Sequence, residues 1–318
     1  MKLKLLTLAM AALTIVPSIA NAQKKIVPYG KFESWCVRHI KESPIIGGNT
    51  KTIYNIGPKD TINENQAYKA NTPWCSSNAY AKVSGVTKTS CTVTPAKSWD
   101  GSTCAKLETK YETLKVAGMV NLKLLVSGCI FWGKIFEPIK TANNPYALMN
   151  WGIPFTERPT ALILDYKSEM PNKGTITKCK PATRVTSYAG NDSQEIIFIL
   201  QKRWEDEDGH VHALRVGTAI RRIENPSNGW VKNYKVPVIY GDARKDANYK
   251  DYMKLGPKGL TYYAKNSKGK VVKIQEEGWA EPDETPTHAM LIITASVQEA
   301  FVGTVGNTMW VDNVALEY

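Results

Sequence analysis

The sequence is poor in arginine and lacks the short motifs that identify nucleotide-binding proteins and serine hydrolases. Only 8 of its 41 basic residues are arginine, the side chain that most often binds phosphate and base edges. It contains no Gly-x-Ser-x-Gly elbow, Walker loop or Gly-x-Gly-x-x-Gly sequence, so the usual local signatures of serine hydrolysis and of nucleotide and dinucleotide binding are missing. We therefore expect no nucleic-acid partner.

Long apolar runs are also missing. The most apolar stretch after the N-terminus, residues 116–136, is broken by Lys123, Gly128 and Lys134, whereas a spanning helix needs about 20 apolar residues. At the N-terminus, two lysines precede a short apolar run, a proline and the small-residue sequence 20–22. This order predicts a cleaved secretory signal peptide over residues 1–22. No cysteine follows the cleavage site directly, so we expect a periplasmic or extracellular protein without a lipid anchor or a transmembrane segment.

The predicted mature chain, without residues 1–22, is still basic and long enough for a folded domain. Residues 1–22 contain two lysines and no acid, so their removal lowers the formal charge from +12 to +10. Most of this charge is lysine, which indicates a solvated surface with some attraction for acidic glycans. The 318 residues, 43% of them apolar, can fill a core. With no linker long enough to separate two cores, we predict a single domain over residues 23–318.

The six cysteines all lie in the predicted mature chain. They are Cys36, Cys75, Cys91, Cys104, Cys129 and Cys179. An even number permits disulfides in an oxidising compartment, but six cysteines allow fifteen connectivities and the sequence selects none. Cys104 lies inside a predicted strand and could equally be a buried free thiol. The absence of Cys-x-x-Cys argues against a thioredoxin-like centre or a zinc ribbon.

Short β-type runs separated by Gly, Pro, Asn and Asp recur along the chain, and capped helical stripes are absent. In residues 161–167, Leu162, Leu164 and Tyr166 alternate onto one face, as an antiparallel strand requires. The predicted strands are 105–111, 120–126, 161–167, 195–204, 211–223, 230–240, 290–296 and 308–318. So many strands predict an all-β sandwich or barrel.

The segment 195–240 predicts a three-stranded meander, and the segment 241–284 indicates either a long insertion or a second hairpin around residues 266–269. The first turn of the meander contains the acidic run 205–208, which we interpret as a solvated hairpin tip. His210 and His212 follow it with a spacing used by metal sites, but the sequence offers no third ligand. We therefore expect exposed hairpin histidines.

Several spaced motifs resemble those of one family. They are Phe32-Glu33-Ser34-Trp35, Trp74-Cys75-Ser76-Ser77-Asn78, Cys104-Ala105-Lys106-Leu107-Glu108-Thr109, the segment GIPFTERP at 152–159, Gly229-Trp230, and GTVGNTMWVDNV at 303–314. Together they resemble the putative carbohydrate metabolism domain of secreted Bacteroidetes proteins, over residues 26–318. The resemblance implies a jelly-roll β-sandwich, similar to carbohydrate-binding modules, that binds or processes glycans. Members often carry a small immunoglobulin-like domain ahead of the jelly roll, and we expect none before Phe32.

The resemblance also implies a structural calcium site. Jelly-roll carbohydrate-binding modules often use an acid near the N-terminal Phe-Glu and an Asp of the last strand, which places the site on Glu33 and Asp312. In the last strand, strict alternation would put Trp310, Asp312 and Val314 on one face, leaving a carboxylate among apolar neighbours. The alternatives are that Asp312 accepts backbone N–H bonds, pairs with lysine, or is turned outward by a bulge.

The resemblance implies a poly- or oligosaccharide partner. Aromatic side chains are the usual contacts of such a partner, because the C–H face of a sugar ring stacks on them. Trp151, Trp230 and Trp279 lie near turns or loops and are the candidate platforms, although core packing is the commoner role of a tryptophan. Arg158 could bind sugar hydroxyls or carboxylates, or instead cap backbone carbonyls.

Catalysis is the alternative to binding. A glycoside hydrolase places two carboxylates about 5–9.5 Å apart around the scissile bond. Glu108, Glu157 and Asp165 are the candidate acids, but no spacing in a sequence encodes that distance. A surface assembly or adhesion subunit is a third class. The sequence determines neither the oligomeric state nor the glycan.

Overall fold

A computed structural model describes residues 23–69, 71–116, 120–140, 148–179, 185–256, 261–297 and 299–318. The predicted signal peptide, residues 1–22, lies outside the described residues. The described chain consists of β-strands joined by turns and loops, with three short 3-10 helices at Pro44–Ile46, Ala243–Lys245 and Asp251–Met253. None of the helices in this part of the chain has the length and apolar character needed to cross a membrane.

The strands are numbered in chain order. The first half of the chain contains Lys24–Ile26 (β1), Trp35–Lys41 (β2), Thr50–Ile56 (β3), Asp60–Ile62 (β4), Trp74–Ser76 (β5), Ala79–Val83 (β6), Val86–Ser90 (β7), Val93–Lys97 (β8), Thr103–Glu108 (β9), Lys110–Val116 (β10), Val120–Val126 (β11), Cys129–Ile135 (β12), Met149–Trp151 (β13) and Ile153–Pro154 (β14). The second half contains Ala161–Glu169 (β15), Thr175–Cys179 (β16), Val185–Ala189 (β17), Gln194–Glu205 (β18), Val211–Ile223 (β19), Val231–Pro237 (β20), Ile239–Tyr240 (β21), Tyr263–Lys265 (β22), Val271–Trp279 (β23), His288–Thr294 (β24), Val302–Gly303 (β25) and Thr308–Glu317 (β26).

Two large sheets form the body of the described chain. One has the order β20-β15-β26-β9-β8, with β1 paired to β26. The other has the order β13-β12-β24-β18-β19-β23-β22, with β5, β14 and β21 paired to β12, β24 and β19. Most strand pairs are antiparallel, and β19 with β23 is a parallel exception. The remaining strands form small sheets and hairpins at the edges.

The main core lies between these two sheets. The six-stranded sheet contributes Leu107, Leu162, Leu164, Val311 and Leu316, and the ten-stranded sheet contributes Ile130, Trp132, Ile196, Phe198, Leu200 and Leu291. All are buried, so the inner faces of both sheets are removed from water, as a β-sandwich requires. The predicted all-β jelly-roll sandwich is confirmed. The predicted inward face of residues 161–167 is confirmed as well, because Leu162, Leu164 and Tyr166 belong to this core.

The ten-stranded sheet is covered on its outer face too. Ile197 and Ile199 alternate with the inward residues of β18 and pack in a second cluster with Met253, Tyr262 and Trp151. The loop segment around the helix Asp251–Met253 supplies part of this cover. Burial on both faces explains why residues 196–200 of β18 form an unbroken apolar run instead of alternating.

The sequence interpretation of residues 195–240 as a three-stranded meander is wrong in part. The meander holds for β18 and β19, but β20 pairs with β15 in the opposite sheet, and only the short β21 returns to β19. Alternation predicts a strand without predicting its neighbour. The hairpin at residues 266–269 is confirmed by the antiparallel pair of β22 and β23.

The last strand does not alternate regularly. Its register against β15 shifts between the pairs Ile163↔Ala315 and Asp165↔Asp312, and Asn313 has a φ of +51°. The extra residue is a bulge, which reverses the facing of all later positions. Val311 and Val314 therefore both enter the core, and the expectation that Trp310, Asp312 and Val314 share one face is wrong.

The six cysteines are all free thiols. Cys104 is fully buried in β9, which agrees with the alternative that it is a buried free thiol. Burial raises the pKa of the Cys104, Cys75 and Cys129 thiols to about 12. These thiols are consequently poor nucleophiles at neutral pH.

Candidate functional site

An open cleft with a volume of about 600 Å³ lies where β21 and the end of β23 meet. Its aromatic lining is Tyr240 and Trp279, and its charged lining includes Asp242, Arg244 and Asp246. We refer to it as the aromatic cleft. Rings beside carboxylates and a guanidinium offer both stacking surfaces and hydrogen-bonding groups to one ligand.

The wall formed by residues 239–246 is fixed by local geometry. Tyr240 pairs with Gly217 of β19, which anchors the end of β21 to the large sheet. Asp242 then caps the short helix by accepting a hydrogen bond from the Arg244 amide, and it holds the Arg244 side chain at 2.9 and 2.8 Å. The hydrogen bond from Arg244 lowers the pKa of Asp242, so Asp242 is an ionised acceptor at neutral pH.

The opposite wall is supported by a buried ion pair on the outer face of the ten-stranded sheet. Trp279 pairs in register with Arg215 of β19, whose guanidinium lies 5.4 Å from the Trp279 ring centroid. Arg215 is fully buried, donates from Nε to Glu276 Oε1 at 2.9 Å, and donates from Nη1 to the Met253 carbonyl at 2.8 Å. The Trp279 ring thus rests against a buried, hydrogen-bonded ion pair.

Arg158 borders the cleft in a structural role. Its guanidinium lies 4.1 Å from the Tyr240 ring centroid and donates to the carbonyls of Pro282 and Glu284. Burial raises the pKa of the Tyr240 hydroxyl to about 12, and this hydroxyl donates to the Pro159 carbonyl at 2.9 Å. Arg158 therefore caps carbonyls, and it joins Tyr240 to the loop that carries Pro282, another residue lining the cleft.

The other two predicted platforms lie elsewhere. Trp151 is buried, with its ring 4.5 Å from Phe131 and 5.9 Å from Tyr262 between ring centroids. It borders a mainly apolar groove of about 300 Å³ on the outer face of the ten-stranded sheet. Trp230 is half-buried just before β20, in the opposite sheet. Of the four predicted ligand-binding residues, only Trp279 lines the aromatic cleft, and Arg158 contacts the ring of Tyr240, which also lines it.

The three predicted catalytic acids are separately engaged. Glu157 accepts from the Tyr318 hydroxyl and pairs with Lys25 at 3.3 Å. Glu108 pairs with Lys106 at 3.3 Å. The Glu157 carboxylate is half-exposed, and the hydrogen bond from Tyr318 lowers its pKa.

Asp165, the third, is buried and accepts hydrogen bonds from the Trp99 indole at 3.1 Å, the Asn313 amide group at 2.9 Å and the Asn233 backbone at 2.6 Å. It faces Asp312 across the strand pair.

The two predicted calcium ligands, Glu33 and Asp312, differ in burial and in contacts. Asp312 accepts from the Ser98 hydroxyl and from the Asn313 backbone amide at 2.7 Å, which is the backbone-bonded alternative. Burial raises the pKa of Asp312. Glu33 is exposed and is not among the contacts of Asp312. The calcium site on Glu33 and Asp312 stays a prediction.

Sequence reasoning missed most of the cleft and one groove residue. Tyr240, Asp242 and Asp246 lie at the junction of a strand with a polar loop, and an aromatic residue followed by Gly-Asp was the available signal. Glu195 lies in the groove beside Trp151, where burial raises its pKa despite a 2.8 Å ion pair with Arg222. It resembled any other strand residue in the sequence.

Fold and cleft together define a β-sandwich protein with an open cleft lined by aromatic and charged side chains. The chain belongs to the family described as putative carbohydrate metabolism domain, whose model matches residues 48–317. The predicted family is thereby confirmed. No curated protein matches the chain.

Solved structures with detectable similarity include two from Bacteroides. A putative glycoside hydrolase from Bacteroides thetaiotaomicron VPI-5482 is 20% identical, with 89% of this chain and 70% of that chain covered and a TM-score of 0.48. One from Bacteroides vulgatus ATCC 8482 is 13% identical, with 93% and 95% covered and a TM-score of 0.42. A carbohydrate-binding module specific for non-crystalline cellulose, CBM28, is 14% identical, with 77% and 87% covered and a TM-score of 0.26.

Proposed function

We propose that the chain binds a poly- or oligosaccharide in the aromatic cleft. The observation that carries the proposal is that Tyr240 and Trp279 line one open cleft together with Asp242, Arg244 and Asp246. Sugar C–H faces pack on aromatic rings while sugar hydroxyls seek charged and polar partners. The cleft volume of about 600 Å³ lies within the range of ligand sites.

Preorganisation supports binding at this place. Trp279 rests on the buried Arg215–Glu276 pair, and Asp242 is held by Arg244. Side chains fixed before the ligand arrives lose less conformational entropy on binding.

Replacing Trp279 with alanine is expected to weaken saccharide binding by about 30-fold, the equivalent of about 2 kcal/mol for a central aromatic contact. The ligand is found by screening the soluble protein on a glycan array, and affinity is then measured by isothermal titration calorimetry. Trp99→Ala is the matched control, because Trp99 is 44% exposed and belongs to the hairpin of β8 and β9 in the other sheet.

A second variant keeps this test independent of folding. Asp246 is half-buried in the lining of the cleft, and Asp246→Asn should weaken the same ligand while leaving the melting temperature unchanged. An array without hits, or an affinity that neither cleft variant alters, would refute binding at this cleft.

Hydrolysis has weaker support in this cleft. A glycosidase needs one carboxyl with a raised pKa as the general acid, whereas Arg244 lowers the pKa of Asp242. Glu108, Glu157 and Asp165 are held by unrelated partners. Release of reducing sugar from the bound glycan, measured in the same samples, distinguishes an enzyme from a binding protein.

Export to the periplasm or the extracellular space is also part of the proposal. It rests on the signal-peptide pattern of residues 1–22 and on the saccharide partner. We expect the mature chain to begin at Gln23 when the full sequence is expressed in a Gram-negative host. Intact-mass measurement of the periplasmic fraction checks this, and an uncleaved chain retained in the cytoplasm would contradict it.

A further inference from the structure

The tip of the β18–β19 hairpin gathers two imidazoles and a carboxylate. Asp206 Oδ2 lies 2.8 Å from His210 Nδ1 and 3.2 Å from His212 Nε2. One ligand atom from each of these three side chains lies within 4.8 Å of the other two. The sequence indicated a solvated turn here and offered no third ligand for His210 and His212. In the structure, Asp206 of this turn lies close to both imidazoles.

The backbone holds this arrangement in place. The Asp206 amide donates to the His210 carbonyl at 3.1 Å, and the His210 amide donates to Asp206 Oδ1 at 2.8 Å. Gly209, with a φ of +89°, closes the turn and accepts at its carbonyl from the Asn266 side chain at 2.8 Å. The hairpin tip is thus tied to the neighbouring β22–β23 hairpin, so the three groups do not depend on a free loop.

Glu277 orients the second imidazole. The register between β19 and β23 shifts at this point, with Ala213 opposite Glu276 and Leu214 opposite Gly278. The intervening Glu277 contacts His212 Nδ1. Metal-binding histidines are commonly fixed in this way by a carboxylate on their other ring nitrogen.

This contact leaves His212 Nε2 directed at Asp206. His212 Nε2 lies 3.2 Å from Asp206 Oδ2, the same oxygen that His210 Nδ1 approaches at 2.8 Å. The Trp204 ring covers one side of the site, stacked on His212 at 5.4 Å and 13°.

We propose that Asp206, His210 and His212 bind one divalent transition-metal ion, with Glu277 as the carboxylate that orients His212. Two nitrogens and one oxygen suit Zn²⁺, whose bonds of about 2.0–2.1 Å place tetrahedral ligands about 3.3 Å apart. The two separations that include Asp206 Oδ2 are 2.8 and 3.2 Å, and the ligand atoms of the two imidazoles lie within 4.8 Å of each other, so metal binding requires the side chains to adjust. Three protein ligands leave the fourth position open for water or an external ligand.

The test uses tag-free full chain stripped of metal by a chelating resin and titrated with Zn²⁺ by calorimetry. We expect one ion per chain, a tetrahedral absorption spectrum with Co²⁺, and loss of both in His212→Ala. Glu277→Gln should weaken Zn²⁺ binding by about tenfold while the stoichiometry stays at one, because Glu277 acts through His212.

His39→Ala is the matched control, since His39 lies in β2 and contacts Thr52, outside the hairpin. It should bind Zn²⁺ as the unchanged chain does. The six thiols are a competing source of affinity, and binding that survives in the double variant His210→Ala/His212→Ala would overturn the proposal. Absence of binding to the unchanged chain, which would leave a proton between His212 and Asp206, would overturn it equally.

Discussion

Replacing Arg215 with methionine is expected to lower the free energy of unfolding by about 3–5 kcal/mol, because the Glu276 carboxylate would then be buried without its counter-ion. The Arg215 side chain is fully buried and that of Glu276 is 3% exposed. Arg215 also donates to the Met253 carbonyl, which would lose its partner. Urea unfolding at neutral pH, followed by tryptophan fluorescence, measures the change.

Two further variants distinguish the effect of an unpaired buried charge from the effect of lost packing. The double variant Arg215→Met/Glu276→Leu should recover most of the loss, because an apolar pair of similar volume avoids the buried charge. Arg244→Met removes the surface partner of Asp242, where the guanidinium is 62% exposed, and should change stability little. A single variant as stable as the unchanged protein would refute the assigned role of the pair.

The same pair predicts a pH dependence. Despite its burial, Arg215 and its hydrogen bonds lower the pKa of Glu276 below the usual 4.5. A lowered folded-state pKa means that the unfolded chain binds more protons in this range, so stability falls as the pH decreases. The contribution of Glu276 is complete above about pH 4.5 and is lost as the pH falls through the lowered pKa. In Arg215→Met this acid-side loss should disappear.

Replacing Trp132 with alanine is expected to cost about 3–5 kcal/mol of stability, the usual result of deleting a fully buried tryptophan. Its side chain is 2% exposed, and its ring lies 6.0–6.2 Å from Trp74, Phe155 and Phe198 between ring centroids. These rings come from segments that are distant in the sequence and meet in the core between the two sheets. Their side chains are fixed by other contacts, so we expect them not to fill the cavity.

Trp204→Ala is the matched control for this substitution. Trp204 is 41% exposed, and its removal should change the free energy of unfolding by less than about 0.5 kcal/mol. Guanidinium unfolding of both variants gives the comparison. Equal effects of the two substitutions would contradict the position of Trp132 in the core between the sheets.

The fold class was predictable from the sequence because alternation and turn residues are local properties. The strands 120–126 and 211–223 were predicted with the observed bounds. The bulge at Asn313 was one of several alternatives that the sequence left open for Asp312, because one inserted residue leaves composition unchanged while reversing every later side chain of β26. The apolar run of β18 is visible in the sequence, but the segment that covers its outer face is not, since that segment packs from far along the chain.

The functional sites were also predictable only in part. The sequence by itself determined that the chain is an all-β protein and that its motifs resemble one carbohydrate-related family. It also indicated Trp279 and Arg158 as candidates for ligand binding, and a metal-site spacing at His210 and His212. Only the tertiary structure placed Trp279 beside Tyr240, and Glu277 beside His212. The reason is physical: strand formation depends on neighbours one or two residues away, whereas a binding site depends on which strands pair and in what register.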